Sequence, residues 1–358
     1  MLTNASWVDS RLSRSTTGCA AVALFKEDGL RLSQRVFLVT GAGGALGLET
    51  CAALHGGGAT VIAVCRSAER ARDAVSRILE KGGGAPETLA GESADLSSLE
   101  SVRALARRVR DGSALPGGGP ARLHCVVHCA GVLAGPRFSA SQDGVETQYA
   151  VNFLAGKLLV DLLLPVLRES ASRDQPSRVV YVTCDAHRQL RRKWEAQLLP
   201  ASRATYSARD EYRASKLCQI LHAQELNAAA RLQPSADRPV RAVAVHPGLV
   251  RSALARRAPA CSATWWHYSS ASLAALMGTP HKSAAAAAGP IVRACLDPGL
   301  RGASAPLYLG DDCQPREPSL PGDPAAGKRV LEVADRIIAE RAELQLKGAS
   351  RPTSPEEP

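Results

Sequence analysis

Aromatic residues are scarce in this 358-residue sequence, at 4% of its composition. Proteins that bind single-stranded nucleic acids stack bases on aromatic side chains, so this scarcity argues against that class. The excess of Lys and Arg over Asp and Glu gives a formal net charge of +10, but the positive residues are scattered through Arg-rich helical patterns and form no long basic block. A solvated basic surface is therefore favoured over nucleic-acid binding, and acidic cofactors remain natural partners.

Metal-ligand spacing is also lacking. The ten cysteines include no Cys-x-x-Cys pair and no His/Cys cluster at zinc spacing, so we expect no metal site. Several cysteines fall inside apolar patterns, which is typical of reduced thiols in an intracellular and most simply cytoplasmic protein. The first fourteen residues do not resemble a secretory signal, and we expect no apolar run of membrane-spanning length.

Short β-branched runs alternate with longer helix-like segments along most of the chain. Seven runs predict strands: RVFLVT, ATVIAVC, a piece ending at Asp95, LHCVVHC, RVVYVT, VRAVAV and APLYL. Helical patterns between them, such as ERARDAVSRILEKGGG and SLESVRALARRVRDG, stop at glycine as helices often do. The alternation predicts an α/β fold of the Rossmann type, with a doubly wound, parallel sheet of about seven strands and helices on both faces.

The ends of the chain differ from the middle. We divide the sequence into an N-terminal arm (1–30), a main domain (31–315), a C-terminal extension (316–347) and a disordered tail (348–358). The extension contains a predicted amphipathic helix whose apolar residues share one face: Leu331, Ala334, Ile337, Ile338 and Leu344. Within the main domain, AAAAAGPIV starts at Ala284 and favours helix, but Gly289 and Pro290 predict a kink or a late start.

A glycine-rich turn follows the first predicted strand. In TGAGGALGLET, small residues permit a tight turn and bring the N–H groups of the following helix close to a pyrophosphate. Glycines that serve only for turning are the alternative. The candidate cofactor-binding residues of this turn are Thr40, Gly41, Gly43, Gly44, Ala45, Leu46 and Gly47.

The end of the second strand bears on the choice between NAD and NADP. NAD enzymes place an acidic residue about twenty positions after the loop, where this sequence has Cys65 and Arg66. An arginine can bind a 2′-phosphate, with Arg70 as a helper, so we expect NADP(H) as the cofactor. A solvated residue at a helix start is the alternative interpretation of Arg66 alone.

Tyr212 and Lys216 lie four residues apart in the strongly helical segment EYRASKLCQILHAQEL and therefore share a face. An ammonium group near a phenol lowers the tyrosine pKa and allows proton transfer near neutral pH. Tyr-x-x-x-Lys often occurs by chance, but no other tyrosine in this chain has a lysine four residues later.

Taken in order, the motifs TGAGGALG, ADLSS, HCAG, VNFLAG, VTCDAH, YRASK and HPGLVRS resemble the short-chain dehydrogenase/reductase family. The resemblance spans roughly Gln34 to Cys313. ERARDAVSRILE, QDGVETQYAVNFL and VLEVADRIIAERAE are similar to its retinol-dehydrogenase-like branch, which includes oxidoreductase domains preceded by WW modules. SWVDSRL is similar to the closing segment of such a module. No complete WW module precedes it, so we do not expect recognition of proline-rich partners.

The resemblance implies a role for each matching residue. Tyr212 would exchange a proton with the substrate oxygen, Lys216 would bind the nicotinamide ribose and depress the Tyr212 pKa, and Asn152 would bend its helix and hold a relay water. The remaining cofactor contacts would be Asp95 and Leu96 near adenine, Ala130 and Gly131 at the adenosine ribose, and Pro247, Gly248, Leu249 and Ser252 at the carboxamide.

Three positions depart from the family pattern. Ala45 replaces a usual glycine, and His128 with Cys129 stands where two asparagines often occur. Most important, Cys184 occupies the position of the catalytic serine, and a thiol is a weaker hydrogen-bond donor than a hydroxyl. Cys184 is therefore either a poor substitute in the catalytic site or an inert core residue, as buried cysteines usually are. Thr183 should point to the other side of the strand.

These features imply an NADP-dependent oxidoreductase that interconverts a carbonyl and an alcohol, with a lipophilic, retinoid- or steroid-like small-molecule substrate by family analogy. A weakly active or inactive NADP-binding regulatory scaffold is the alternative, and self-association stays open. We expect a surface loop near the site mouth over 188–210. The segment TWWHYSS, with Trp265, Trp266 and Tyr268, is interpreted as a substrate lid or its core packing.

Overall fold

The computed structural model describes residues 8–190, 198–231, 239–250, 281–302, 307–320 and 325–349. Seven parallel strands form one sheet in the order 3-2-1-4-5-6-7, which confirms the predicted fold class. The strands are β1 (Val36–Thr40), β2 (Thr60–Cys65), β3 (Leu89–Ser93), β4 (Cys125–His128), β5 (Ser177–Val182), β6 (Val240–Val245) and β7 (Tyr308–Leu309).

Helices cover both faces of this sheet. They are α1 (Gly18–Glu27), α2 (Ala45–Gly56), α3 (Ala68–Gly82), α4 (Leu99–Arg110), α5 (Ala155–Ser170), α6 (Ala208–Arg231), α7 (Ala284–Leu296) and α8 (Ala326–Ala349). Successive strand side chains point to opposite faces, so Leu38 packs with α4, α5 and α6, whereas Val39 packs with α1, α2 and α7. The central strands are buried on both sides, which explains their nearly continuous apolar runs.

The N-terminal segment contributes to the core. In the region interpreted as an arm, Thr17 caps α1 by accepting a hydrogen bond from the Ala20 N–H. Ala21, Val22 and Phe25 of α1 are buried in the core shared with α2 and α7. The helix was missed because its apolar face spans only about two turns and is followed at once by Lys26 and Glu27. The domain boundaries remain a prediction.

Helix α7 does not start late. It begins at Ala284, with the Ser283 side chain accepting from the Ala286 N–H, and it continues through Pro290 to Leu296. The expected late start is therefore wrong, because burial against neighbouring helices outweighs the one helical hydrogen bond that proline removes. Gly289 is needed for this packing, since a Cβ there would lie 2.1 Å from the Thr16 carbonyl oxygen.

The predicted C-terminal amphipathic helix is present as α8. Val330 and Ala334 are buried against the sheet-covering helices, and Leu331, Ile337 and Ile338 are partly buried on the same core. Leu344 is 54% exposed, so the apolar face ends before it. Residues 350–358 of the predicted tail lie outside the described part of the chain.

One segment, Tyr149–Ser170, is long and apolar enough to cross a membrane by length and composition, contrary to the expectation from the sequence. Its most apolar window is 72% buried inside the fold. The segment is therefore explained as the central core helix of a sheet-covering layer, where apolar residues all round the helix find protein neighbours.

Candidate active site

The glycine-rich turn lies at the carboxyl end of β1, where open α/β sheets bind their ligands. Gly41 has a φ of +71°, and a Cβ at this position would lie 2.8 Å from the Ala130 Cα. A Cβ at Gly47 would lie 2.3 Å from the Gly41 carbonyl oxygen. Both glycines are thus required by close backbone contacts, Gly41 with the segment after β4 and Gly47 within the turn itself.

The N-terminus of α2 opens onto this turn without a protein cap. Gly44 is the N-cap residue and offers no side-chain hydrogen bond. Gly43 and Gly44 are exposed, and Ala45 and Leu46 are half-buried. The first N–H groups of a helix lack partners within the helix and attract anions. The turn therefore fits a pyrophosphate group.

Arg66 follows β2 beside the turn. Its side chain is exposed and forms no ion pair with any carboxylate in the described ranges, and Arg70 is also exposed. The preceding Cys65 is buried, and desolvation raises the pKa of its thiol. The end of β2 therefore presents guanidinium groups and a neutral thiol, and the site for a 2′-phosphate stays a prediction.

Asp95 lies in the loop between β3 and α4. One carboxylate oxygen accepts hydrogen bonds from the Ser97 N–H at 2.9 Å and the Ser97 hydroxyl at 2.8 Å. The other accepts from Gln142 Nε2 at 3.1 Å. Asp95 thus holds its own loop in place, and Leu96 beside it is buried.

A hydrogen-bonded chain runs beneath the cofactor turn. The Ala130 N–H donates to Thr40 Oγ1 at 3.2 Å, and Thr40 Oγ1 lies 3.2 Å from His128 Nδ1. His128 Nε2 lies 3.0 Å from the Asn152 carbonyl oxygen, so Nε2 carries the proton. Burial lowers the pKa of His128 to about 4, which keeps the ring neutral. His128 therefore fixes Thr40 and Asn152 relative to each other.

Asn152 lies in a π-helical segment, Tyr149–Leu154, that leads into α5. Its Oδ1 accepts from the Val132 N–H at 2.7 Å, and its Nδ2 donates to Val132 O and Ser215 Oγ, both at 3.0 Å. Its carbonyl oxygen accepts from Gln219 Nε2 at 2.5 Å. Asn152 thus lies in a widened helical turn, and the expected bend stays a prediction. The partners Ser215 and Gln219 were missed because each lies more than 60 residues away.

Tyr212, Lys216 and Cys184 come together at the carboxyl end of β5. The Tyr212 hydroxyl hydrogen-bonds the Cys184 thiol, and the Lys216 ammonium lies 5.7 Å from the centre of the Tyr212 ring. Lys216 Nζ donates to the Val182 carbonyl at 2.9 Å. Thr183 turns away, because its hydroxyl donates to the Lys216 carbonyl at 2.9 Å. The half-buried thiol therefore faces the tyrosine, as a catalytic hydroxyl would.

The electrostatics correct one expectation. Desolvation raises the pKa of Tyr212 well above its ordinary value, and the neighbouring Cys184 adds to the rise. Burial also lowers the pKa of Lys216. In this state desolvation of the buried phenol outweighs any depression of the tyrosine pKa by Lys216, whose ammonium bonds the Val182 and Gln219 oxygens.

The loop after β6 carries the residues expected at the carboxamide. Gly248 has a φ of +90°, and the Leu249 carbonyl accepts from the Lys282 N–H at 2.8 Å. Pro247 precedes them. Ser252 and the segment with Trp265, Trp266 and Tyr268 lie outside the described residues, as do residues 191–197 of the predicted surface loop.

The described end of that surface loop contacts the segment after β4. The Tyr206 hydroxyl donates to the Gly135 carbonyl at 2.9 Å, and its ring packs edge-on against Phe138 with centroids 5.7 Å apart. Arg203 lies over the Phe138 ring. This aromatic pair thus lies just before Ala208, where α6 begins.

Comparison with known proteins agrees with this geometry. A family model described as short chain dehydrogenase matches residues 35–196. The chain is 35% identical over 240 residues to human retinol dehydrogenase 11 (Homo sapiens), covering 67% of this chain and 69% of that protein. It therefore belongs to the short-chain dehydrogenase/reductase family, whose members are NAD(P)-dependent oxidoreductases.

A relative with WW domains in its name is also similar. The chain is 35% identical over 246 residues to the WW domain-containing oxidoreductase of Gallus gallus, covering 67% of this chain and 53% of the relative. The chain thus spans about half the length of that protein. A solved structure titled Pseudomonas aeruginosa RhlG/NADP active-site complex is 25% identical with a TM-score of 0.53, covering 79% of this chain and 96% of that one.

Proposed function

We propose that this protein is an NADP(H)-dependent oxidoreductase that interconverts a carbonyl and an alcohol. The observation that carries the proposal is the contact between Tyr212 and Cys184 beside Lys216, at the sheet edge where the glycine-rich turn and the uncapped helix α2 also lie. A proton donor thus shares one edge of the sheet with the cofactor cradle, which is the glycine-rich turn 40–47 together with the N-terminus of α2. Hydride chemistry on a carbonyl requires both.

NADP(H) is favoured by the unpaired guanidinium of Arg66 and by the absence of an acidic residue at the end of β2. An acidic residue there would repel a 2′-phosphate, whereas arginine can bind it with two parallel hydrogen bonds. The similarity to a protein with NADP named in its title supports the same choice.

The residues of this chain would act on the substrate oxygen. When bound, the dinucleotide supplies or accepts the hydride. Tyr212 is protonated because burial raises its pKa, so it can donate to a carbonyl oxygen. Lys216 stabilises the phenolate that remains. Cys184 donates weakly to the same oxygen, and Asn152 holds the Val132 backbone at the side of the cleft.

A lipophilic substrate is favoured by two observations. The aromatic pair of Phe138 and Tyr206 lies just before α6, the helix that carries Tyr212, and the relatives include a retinol dehydrogenase. Aromatic side chains supply large apolar contact areas with little conformational entropy to lose. We therefore place long-chain and cyclic aldehydes and ketones first among candidate substrates.

The test is NADPH oxidation with a panel of aliphatic, retinoid and steroid carbonyl compounds. Tyr212→Phe should abolish turnover while NADPH binding persists. Tyr149→Phe is the matched control, because the buried Tyr149 hydroxyl has no hydrogen-bond partner among the residues that the structure describes, and its loss should leave turnover unchanged. Equal turnover in the wild type and Tyr212→Phe would refute the assignment.

A regulatory NADP-binding scaffold is the second candidate, and the specific observation behind it is the thiol at the position of the catalytic serine. The scaffold predicts tight NADPH binding with no turnover of any compound in the panel, in the wild type and in Cys184→Ser alike. Turnover that appears only after Cys184→Ser would show that the chain has the cofactor site and the proton donor of an oxidoreductase but lacks one catalytic group.

A further inference from the structure

The backbone of Cys184 is the start of a short 3-10 helix, Asp185–Gln189, that follows β5. The position of this turn relative to α6 determines how the thiol meets Tyr212. A displacement of about 1 Å in an active site can cost roughly a hundredfold in rate, so whatever holds the turn also controls the site.

His187 holds the turn from both ring nitrogens. Nδ1 lies 2.7 Å from the Cys184 carbonyl oxygen, and Nε2 lies 3.2 Å from the Ser319 N–H. A carbonyl only accepts and a backbone N–H only donates, so Nδ1 carries the proton and Nε2 accepts. The ring is 2% exposed and packs edge-on against Tyr308 at a centroid distance of 5.4 Å. The imidazole is therefore fixed in one tautomer and one orientation.

The same turn is attached to the C-terminal part of the chain by two further side chains. The Tyr308 hydroxyl donates to Asp185 Oδ1 at 2.7 Å, and Arg188 Nη2 donates to the Glu317 carbonyl at 2.5 Å. These contacts join β7 and the segment 315–320 to the residues that follow Cys184. Of the side chains of His187, Tyr308 and Arg188, that of His187 is the one that hydrogen-bonds Cys184 itself.

We propose that His187 is a positioning residue for Cys184, and that through it the segment 315–320 sets the alignment of the thiol with Tyr212. This inference rests on the proposed function for its kinetic consequence. The structural claim concerns the geometry of Cys184 and can be measured without turnover.

Two substitutions separate the two hydrogen bonds of the ring. The amide nitrogen of asparagine reaches the place of Nδ1, so His187→Asn can keep the bond to the Cys184 carbonyl and lose the bond to Ser319. The longer glutamine reaches the place of Nε2, so His187→Gln can keep a contact with Ser319 and lose the bond to Cys184. His187→Ala loses both bonds.

The kinetic readout is kcat for carbonyl reduction, with the KM for NADPH as a check on the remote cofactor turn. We expect His187→Gln and His187→Ala to lower kcat by roughly 10-fold to 100-fold through misalignment, with an unchanged KM for NADPH. His187→Asn should stay within about threefold of the wild type. A general loss of stability would instead reduce active protein in proportion to the fall in melting temperature in all three variants.

The second readout is the rate at which iodoacetamide alkylates Cys184, followed by peptide mass spectrometry, with Cys129 as the internal reference. The Gln and Ala variants should differ from the wild type in Cys184 alkylation, and the Asn variant should match it. If the wild type shows no turnover, the proposed function fails and this readout alone decides the positioning role. Indistinguishable Asn and Gln variants overturn the proposal.

Should the Gln variant fail to fold, the Asn and Ala variants carry the comparison. Wild-type alkylation and turnover in His187→Asn support the proposal, and losses equal to those of His187→Ala overturn it.

Discussion

The cofactor cradle and the catalytic end of this molecule are built on different principles. In the cradle, neighbouring backbone atoms lie too close to Gly41 and Gly47 to leave room for a Cβ atom. Hydrogen bonds also connect Ala130, Thr40 and His128 in series. At the catalytic end, Tyr212, Lys216 and Cys184 come together, and Cys184 has a sulfur atom where the resemblance to the family implies a serine oxygen. The close packing of the backbone therefore determines the cradle, whereas the identity of one side-chain atom, the Cys184 sulfur, bears on the chemistry at the catalytic end.

The largest expected effect is the loss of NADPH binding when the cradle is disrupted by Gly47→Ala. In Gly47→Ala the new Cβ would lie 2.3 Å from the Gly41 carbonyl oxygen, so the turn must open and NADPH binding should fall below detection. Overpacking of this kind also costs about 1–3 kcal/mol of stability. NADPH titration by fluorescence and thermal unfolding measure both effects.

Gly43→Ala is the matched control for stability, since its nearest neighbour would be the Cys65 Sγ at 3.4 Å. Its melting temperature should stay at the wild-type value. Wild-type NADPH affinity in Gly47→Ala would contradict the claim that backbone contacts shape the cradle.

A smaller effect concerns the choice of cofactor. Arg66→Ala should reduce the preference for NADPH over NADH by about tenfold or more, because a hydrogen bond to a charged group is worth about 1.5–3 kcal/mol. Arg72→Ala, which removes an exposed arginine from the following helix α3, should leave the preference unchanged. Equal affinity of the wild type for the two cofactors would refute the role of Arg66.

The smallest effect is a difference in pH dependence between the two regions. Burial and the nearby Glu146 raise the pKa of Glu211 to about 7. A raised carboxyl pKa gives stability that is present below the unfolded value and lost as pH rises towards 7. His128 has the opposite sign, because its pKa is lowered to about 4 and stability is lost as pH falls below its unfolded value.

Melting temperatures between pH 5 and pH 8 distinguish these groups. Glu211→Gln should remove part of the decline in melting temperature as the pH rises from 5 to 7, by a few degrees at most, and leave the opposite contribution of His128 in place. An unchanged decline between pH 5 and pH 7 in this variant would show that Glu211 is not the responsible group.

The sequence predicted the sheet and the cradle because both depend on local patterns. Seven short runs, five of them rich in β-branched residues, predicted the seven strands, and the spacing of small residues in TGAGGALG predicted the turn. Helix α1 and the continuous helix α7 could not be predicted, since Phe25 and Gly289 are explained by contacts between distant elements. Tertiary packing overrides local propensity at such positions.

The sequence predicted which residues meet at the catalytic end, but it did not predict the direction in which the Tyr212 pKa shifts. The Tyr212 pKa rises because of burial, which spacing on a helix cannot report. The bond from Asn152 to Ser215 and the two bonds of His187 also join distant parts of the chain. Such contacts between distant residues leave no local pattern in the sequence.

The most direct test of the account is Cys184→Ser, with turnover and melting temperature measured on the same preparation. The account predicts faster carbonyl reduction, by up to about a hundredfold for restoring one positioned donor, at an unchanged melting temperature, because the new hydroxyl meets Tyr212. A lower melting temperature without any gain in rate would contradict it and would show that Cys184 is a packing residue.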